Sequence, residues 1–152
     1  MMNSKTALHS TDQYDREQFK AHGRVDMCLK GSTIHVEAQG PFNEELMTAL
    51  ASLEAQFLAS VAAQGPFAEI VVFHKSVLAS PEVMVAHAQL LVMLKTAGFA
   101  HKASAYVIPD ELDGAMFTGP IAIKNYAAVE WPFRICQTLE DAQAWIASVP
   151  LS

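Results

Sequence analysis

A histidine and two serines follow a run of residues that is typical of a buried strand, and they form the best candidate polar cluster in the chain. The run Glu69-Ile70-Val71-Val72-Phe73 is almost wholly apolar, and His74, Ser76 and Ser80 come after it. Open α/β sheets bind ligands at the carboxyl ends of such strands. The cluster would therefore serve a ligand site or an enzyme; the alternative is a loop whose side chains satisfy its own backbone groups.

Known catalytic and metal-binding signatures do not occur in the sequence. It contains no GxSxG, HExxH, GxGxxG or Walker motif. Cys28 and Cys136 form no CxxC pair, and no base accompanies Cys136 in sequence. The histidines never have the close spacing of metal ligands: His9, His22, His35, His74, His87 and His101. The sequence therefore predicts a non-enzymatic protein with no catalytic residue, no metal and no cofactor.

The composition is that of an apolar, acidic chain. Of 152 residues, 51% are hydrophobic and 17% are charged, and the net charge is −6. Nucleic acids and anionic lipid headgroups need a basic surface, yet no Lys or Arg occurs between Lys30 and Lys75. No apolar run approaches the roughly 20 residues that span a bilayer, and the first residues lack the hydrophobic stretch of a signal peptide. We expect a cytoplasmic protein that binds no nucleic acid and does not insert into membranes.

The pattern of apolar and polar residues along the chain changes near residue 23. Residues 1–22 are polar and have no sustained apolar period, which predicts a flexible N-terminal arm with at most a short helix within Asp12–Lys20. Alternating apolar and polar residues then predict two half-buried strands, from Arg24 to Lys30 and from Ile34 to Ala38. The short connection between them predicts a hairpin.

The charges of this hairpin predict its register. A two-residue loop at Lys30-Gly31 gives these cross-strand pairs: Met27 with Ile34, Val25 with Val36, Asp26 with His35, and Arg24 with Glu37. A loop at Gly31-Ser32 would instead place Asp26 opposite Glu37, and like charges facing each other across strands are destabilising. We therefore predict the loop at Lys30-Gly31.

Helices and strands alternate along the rest of the chain. Asn43 begins a helix that Gln64-Gly65-Pro66 ends, and Ser80, as an N-cap before Pro81, begins a second helix that runs to residue 95 or 96. The further predicted elements are strands at 69–73, 103–108 and 132–136, an interrupted helical segment at 111–129, and a final helix from Thr138. The order β-β-α-β-α-β-α-β-α predicts a single α/β domain over 23–152, with a mixed β-sheet covered by helices.

The predicted helix at 81–96 is apolar on more than one face. Its expected core stripe is Val83, His87, Leu90, Leu91 and Leu94, and other apolar residues lie off that stripe: Val85, Ala88, Val92 and Met93. A helix that is hydrophobic nearly all round is buried or faces a partner or a ligand. Three explanations stay open: a homodimer or protein interface, internal packing, and a lipid-like pocket that would be lined by Met84, Met93, Met116 and Phe117.

Two segments give the chain a resemblance to a known family. Gly40-Pro41-Phe42-Asn43 follows the hairpin, and Phe133-Arg134-Ile135-Cys136 leads into the acidic segment Leu139-Glu140-Asp141-Ala142-Gln143-Ala144-Trp145-Ile146. Over residues 23–148 the chain resembles the STAS-like superfamily of bacterial anti-sigma-factor antagonists, and within it a branch of small, uncharacterised bacterial proteins. The resemblance implies a sheet of four to five strands with helices mainly on one face, and a regulatory, protein-binding role.

The resemblance also bears on Ser80. The well-studied family members are switched by phosphorylation of a serine, in an Asp-Ser pair, at the start of the helix after the third strand. Ser80 lies at the corresponding helix start, but Ala79 precedes it where the family has Asp, and Pro81 follows it. We therefore expect Ser80 to act as a helix N-cap rather than as a phosphorylation site.

Three functional hypotheses follow from these patterns. The leading one is a non-enzymatic regulatory or protein-interaction module that associates with itself or with another protein through the helix at 81–96, including Val85, Val92 and Met93. The second is a protein that binds a small apolar, lipid-like ligand. The third is an enzyme that uses His74 with the nearby serines, which requires a cleft at that end of the sheet.

Overall fold

The computed structural model describes residues 9–10, 23–99 and 101–150. Among these residues the strands lie at His9–Ser10 (β1), Arg24–Lys30 (β2), Thr33–Gln39 (β3), Ala68–His74 (β4), Ser104–Val107 (β5) and Phe133–Cys136 (β6). The helices lie at Glu44–Ala62 (α1), Pro81–Thr96 (α2), Ala115–Ala128 (α3) and Leu139–Ser148 (α4). The predicted α/β class and the predicted order of elements from the hairpin onward are confirmed.

The strands form one mixed sheet in the order in which they occur in the chain. β2 runs antiparallel to its two neighbours, β1 and β3, whereas β3, β4, β5 and β6 run parallel to one another. The described sheet has 6 strands rather than four to five, because His9 and Ser10 pair with Met27 and Asp26 and so cover the edge of β2. These two residues lie in the segment predicted as a flexible arm. The possible helix at Asp12–Lys20 lies outside the described residues.

The predicted register of the β2–β3 hairpin is wrong. Lys30 pairs with Thr33, so the loop consists of Gly31 and Ser32 rather than Lys30-Gly31. Gly31 has a φ of 64°, in the left-handed region that a tight two-residue hairpin turn requires and that glycine adopts at little cost. The turn therefore decides the register. Because every partner shifts by two residues, the same side chains still face the core.

The observed register places two carboxylates, Asp26 and Glu37, opposite each other. Each of them has a basic neighbour, since Arg24 Nε lies 3.0 Å from Asp26 Oδ1 and the His74 imidazole contacts the Glu37 carboxylate. These contacts offset the repulsion between like charges that argued for the other register. The predicted pairing of Asp26 with His35 does not form.

Helices cover both faces of the sheet unequally. Neighbouring residues of β4 separate two cores: Val71 packs in a large core with α1, α2 and α3, whereas Ile70 packs in a smaller core with α4. The helices therefore lie mainly on one face, with α4 as the exception. In the described part of the chain, no helix is long and apolar enough to cross a membrane.

Side chains cap the helices at the residues that the sequence indicates. Asn43, Ser80 and Thr138 each accept a hydrogen bond from the backbone N–H three residues later, at 3.0 to 3.2 Å. The helical segment predicted as interrupted is a continuous helix, α3, through Gly119 and Pro120. Pro120 removes one backbone hydrogen bond near the start of α3 without ending it.

Candidate functional site

The predicted polar cluster after β4 divides among different partners. The His74 imidazole is exposed and contacts the Glu37 carboxylate. Ser76 is buried, and its hydroxyl donates to Asp113 Oδ2 at 2.7 Å. Ser80 accepts its capping hydrogen bond at the start of α2. The structure thus gives each of the three side chains its own contact within the protein and does not join them in one hydrogen-bonded group.

The outer face of α2 carries exposed apolar side chains. Val85, Val92 and Met93 are 57%, 52% and 49% exposed. On the neighbouring helix α3, Met116 and Phe117 are 85% and 75% exposed. The expected core residues of α2 are buried, with the exception of the half-buried His87: Val83, Leu90, Leu91 and Leu94. The second apolar face of α2 therefore has no cover within the described part of the chain.

A cavity of about 110 Å³ lies between the sheet and helices α1, α2 and α3. Most of its wall consists of aliphatic and methionine side chains, among them Met84. The other residues proposed for a lipid-like pocket do not line it, because they lie on the surface: Met93, Met116 and Phe117. Part of the wall is polar, and those side chains come from α1, α2, α3, the middle of the sheet and the connections that precede β5 and β6.

Glu69, in β4, is a buried carboxylate with partners on both oxygens. Its Oε1 accepts a hydrogen bond from Ser104 Oγ at 3.1 Å, and its Oε2 lies 3.4 Å from His101 Nε2. Ser104 Oγ in turn accepts from Trp131 Nε1 at 3.1 Å. Burial raises the pKa of Glu69, but the charge of His101 and the hydrogen bonds outweigh burial and leave this pKa below the usual 4.5. Glu69 is therefore held in its ionised form.

Glu54, in α1, lines the same cavity without such partners. It is 6% exposed, and its Oε2 has no hydrogen-bond partner among the residues that the structure describes. Burial and, to a smaller extent, the charge of Glu69 raise the pKa of Glu54 well above the usual 4.5. The neutral carboxyl group that burial favours can both donate and accept a hydrogen bond. Thr118 Oγ1, in α3, and the two ring nitrogens of His101 are further buried atoms of the described wall without a hydrogen-bond partner.

Hydrogen bonds join Asn125 to further polar residues of the wall. Asn125 Nδ2 donates to the Met84 carbonyl oxygen at 3.1 Å and to His87 Nδ1 at 2.9 Å. His87 Nδ1 is therefore an acceptor, so the ring proton lies on Nε2, which donates to Tyr106 Oη at 3.2 Å. The hydroxyl groups of Tyr106 and Tyr126 share a hydrogen bond of 2.7 Å, in which either can be the donor.

Apart from Glu69 and His101, which pair with each other, the polar groups of the wall offer hydrogen bonds rather than charge. No Lys or Arg among the described residues lines the cavity. Burial lowers the pKa of His87 to about 4, so this imidazole is neutral at pH 7. Within the described ranges, no three His, Cys, Asp or Glu side chains are grouped so that they could hold a metal ion. The arrangement is therefore suited to hydrogen bonding with a bound molecule.

The buried carboxyl groups were not among the sequence-predicted site residues, although the sequence contains a signal for both. Glu54 lies four residues after Leu50 and four before Leu58, on the apolar stripe of α1. Glu69 shares one face of β4 with Val71, since alternate residues of a strand point the same way. A carboxyl group on an otherwise apolar face indicates a buried polar site. No spacing in the sequence indicates which residues of other elements meet it.

Comparisons with known proteins do not assign the chain to a family. No protein-family model, no curated protein and no solved structure matches it.

Proposed function

We propose that this chain is a non-enzymatic, cytoplasmic interaction module of STAS-like type that binds a second copy of itself through the outer face of α2. The observation that carries the proposal is the exposure of Val85, Val92 and Met93, at 57%, 52% and 49%. Apolar side chains exposed together on one face mark interaction surfaces. The sequential strand order, with α1, α2 and α3 packed on one face of the sheet, is compatible with a STAS-like fold.

Charge favours a second copy as the partner. With a net charge of −6, two copies repel each other unless they meet where acidic residues are few. Helices α2 and α3 contain Glu82 as their one acidic residue, against the bases Lys95 and Lys124. The exposed apolar residues of both helices therefore lie on a part of the surface where the repulsion between copies is weak.

Val85→Glu combined with Val92→Glu is expected to convert the dimer into a monomer, because each copy would bury two unpaired carboxylates in the interface. We expect the wild-type chain to have twice the mass of 16.5 kDa. The dissociation constant of the double variant should rise at least about 30-fold, which corresponds to the loss of a strong interface contact. Size-exclusion chromatography with light scattering over a concentration series measures both quantities.

Ala55→Glu combined with Ala59→Glu is the matched control, since it adds the same charge at exposed positions of α1. This variant should dimerise like the wild type. A monomeric wild-type chain would contradict the proposal, as would a Val85/Val92 double variant that dimerises as tightly as the control.

A second candidate function, binding of a small and mostly apolar ligand, is favoured by the cavity of about 110 Å³ with the unpartnered Glu54 Oε2 in its described wall. Buried polar atoms rarely lack a partner. We expect native mass spectrometry of gently purified protein to detect an additional mass that is released on denaturation. A spectrum that contains the mass of the bare chain alone under both conditions would contradict this function.

A further inference from the structure

We propose that the cavity between the sheet and helices α1, α2 and α3 takes a compact, neutral ligand with both a hydrogen-bond acceptor and a donor, such as a primary amide on a short aliphatic chain. Glu54 and Thr118 recognise its polar end. This inference rests on the second proposed function and specifies the chemical class of the ligand.

Four buried atoms of the described wall lack hydrogen-bond partners. They are Glu54 Oε2, Thr118 Oγ1 and the two ring nitrogens of His101, whose Nε2 lies 3.4 Å from Glu69 Oε2. Roughly 90% or more of buried polar groups in proteins are hydrogen-bonded, so unpartnered atoms at a cavity indicate a molecule that binds there. All three side chains line the same cavity.

The cavity wall offers the ligand both a hydrogen-bond donor and a hydrogen-bond acceptor. The Thr118 hydroxyl has no partner among the described residues, so it can donate a hydrogen bond to an acceptor on the ligand. The neutral carboxyl group of Glu54 can accept through its carbonyl oxygen and therefore also serves a donor on the ligand. A primary amide supplies a carbonyl oxygen and an N–H group within a few ångströms of each other.

Charge excludes ionised ligands. An anion would be buried without a free cation, because among the described residues no Lys or Arg lines the cavity, His87 is neutral and His101 already lies 3.4 Å from the Glu69 carboxylate. A cation would compete with His101 for Glu69 or would require Glu54 to ionise in the same apolar surroundings. A neutral ligand binds without adding a charge to the cavity, so neither of these energetic costs arises.

The volume limits the ligand to a few atoms. An engineered apolar cavity of about 150 Å³ holds one benzene molecule, so a cavity of about 110 Å³ corresponds to roughly four or five non-hydrogen atoms. A lipid chain exceeds this volume. The ligand is therefore smaller than the lipid-like molecule that the sequence suggested.

Four probes of nearly equal size test the proposal: propionamide, butan-2-one, propionate and isobutylammonium. Each is titrated at pH 7 into the ¹⁵N-labelled full chain, and the backbone amide signals of Thr118 and Tyr126 are followed. A ligand this small binds weakly, so we expect a millimolar dissociation constant for propionamide. Propionate and isobutylammonium should bind at least about tenfold more weakly. Butan-2-one only accepts hydrogen bonds, so its affinity should lie between that of propionamide and those of the two charged probes.

Two variants of α1 connect the binding to Glu54. Glu54→Leu should weaken propionamide at least about tenfold and change butan-2-one by less than about threefold, because only the amide donates to residue 54. The dispersion of the amide signals shows whether this variant is folded. Gln56→Leu, on the exposed side of the same helix, should leave both affinities unchanged.

The outcomes separate this inference from the function on which it rests. If propionate or isobutylammonium binds as tightly as propionamide, the ligand class is wrong but the cavity is still a binding site. If a folded Glu54→Leu variant binds propionamide like the wild type, the assignment to Glu54 is wrong. If no probe shifts the signals of the cavity wall and native mass spectrometry detects no ligand, the cavity holds water alone and both proposals fail.

Discussion

Glu69→Ala is expected to lower the free energy of unfolding by about 3–5 kcal/mol, the range for removal of one member of a buried ion pair. The carboxylate that it removes accepts a hydrogen bond from Ser104 Oγ at 3.1 Å and lies 3.4 Å from His101 Nε2. Both partners are buried, so they would lose a contact without gaining water. Urea denaturation followed by circular dichroism measures the change.

Glu69→Gln is the matched control, because it keeps a carbonyl oxygen for Ser104 but has no charge for His101. Its stability should lie between those of the wild type and Glu69→Ala at pH 7. Since the pKa of Glu69 lies below the usual 4.5, the contribution of the charge is present above about pH 4.5 and is lost as the pH falls through the folded-state pKa. A Glu69→Gln variant that is as stable as the wild type at pH 7 would show that the charge contributes nothing.

Glu54→Leu is expected to change stability in the opposite direction to Glu69→Ala. It should raise the free energy of unfolding by about 1–3 kcal/mol near pH 8, which is the cost of a buried polar group without a partner. Leucine fills a similar volume and leaves no unpartnered atom among the neighbours Leu53, Phe57 and Leu58 of the same buried helix face. Thermal and urea denaturation of the two chains without added ligand measure the difference.

The increase in the free energy of unfolding that Glu54→Leu causes should depend on pH. Since the pKa of Glu54 is raised above its unfolded value of about 4.5, the folded state binds more protons than the unfolded state. The stability of the wild type therefore falls as the pH rises from about 4.5 towards the folded-state pKa, and Glu54→Leu removes this fall. The stability difference between the two chains should widen from pH 5 to pH 8.

Glu54→Gln separates the effect of ionisation at residue 54 on stability from the effect of burying a polar group there. This variant cannot ionise but keeps an unpartnered polar group, so it should lose the pH dependence and gain less stability than the leucine variant. If the difference between wild type and Glu54→Leu stays constant from pH 5 to pH 8, Glu54 does not have the raised pKa that its burial requires.

The two buried carboxyl groups thus differ because of their partners and not because of their burial. Glu69 has a hydroxyl and an imidazole within contact distance, whereas Glu54 Oε2 has no partner in the described part of the structure. A group that lowers stability and lines a cavity is expected at a binding site, where a ligand supplies the missing contact.

Most of the fold could be predicted from the sequence, because local patterns determine it. The apolar stripe between Asn43 and Gly65 predicts α1, and the apolar run after Phe67 predicts β4, the parallel strand between β3 and β5. Ser80 and Thr138 begin helices where their side chains can accept a backbone hydrogen bond. These signals act over a few residues, so they do not depend on the rest of the chain.

The errors concern pairings between segments. The hairpin register depends on the left-handed conformation of Gly31 and on the contact between His74 and Glu37, which are 37 residues apart. The strand β1 forms because His9 and Ser10 meet the edge of β2. Cross-strand charge alone predicts neither outcome.

The sequence by itself determined an α/β chain whose α2 has a second apolar face, because hydrophobic period and capping are properties of neighbouring residues. It also determined that Val85, Val92 and Met93 lie off the core stripe of α2, where the structure leaves them exposed. Only the tertiary structure decided that Glu54 of α1, Thr118 of α3 and Tyr126 line one cavity. Separate crossovers bring these residues together, and the protonation and hydrogen bonding of each depend on neighbours that are distant in sequence.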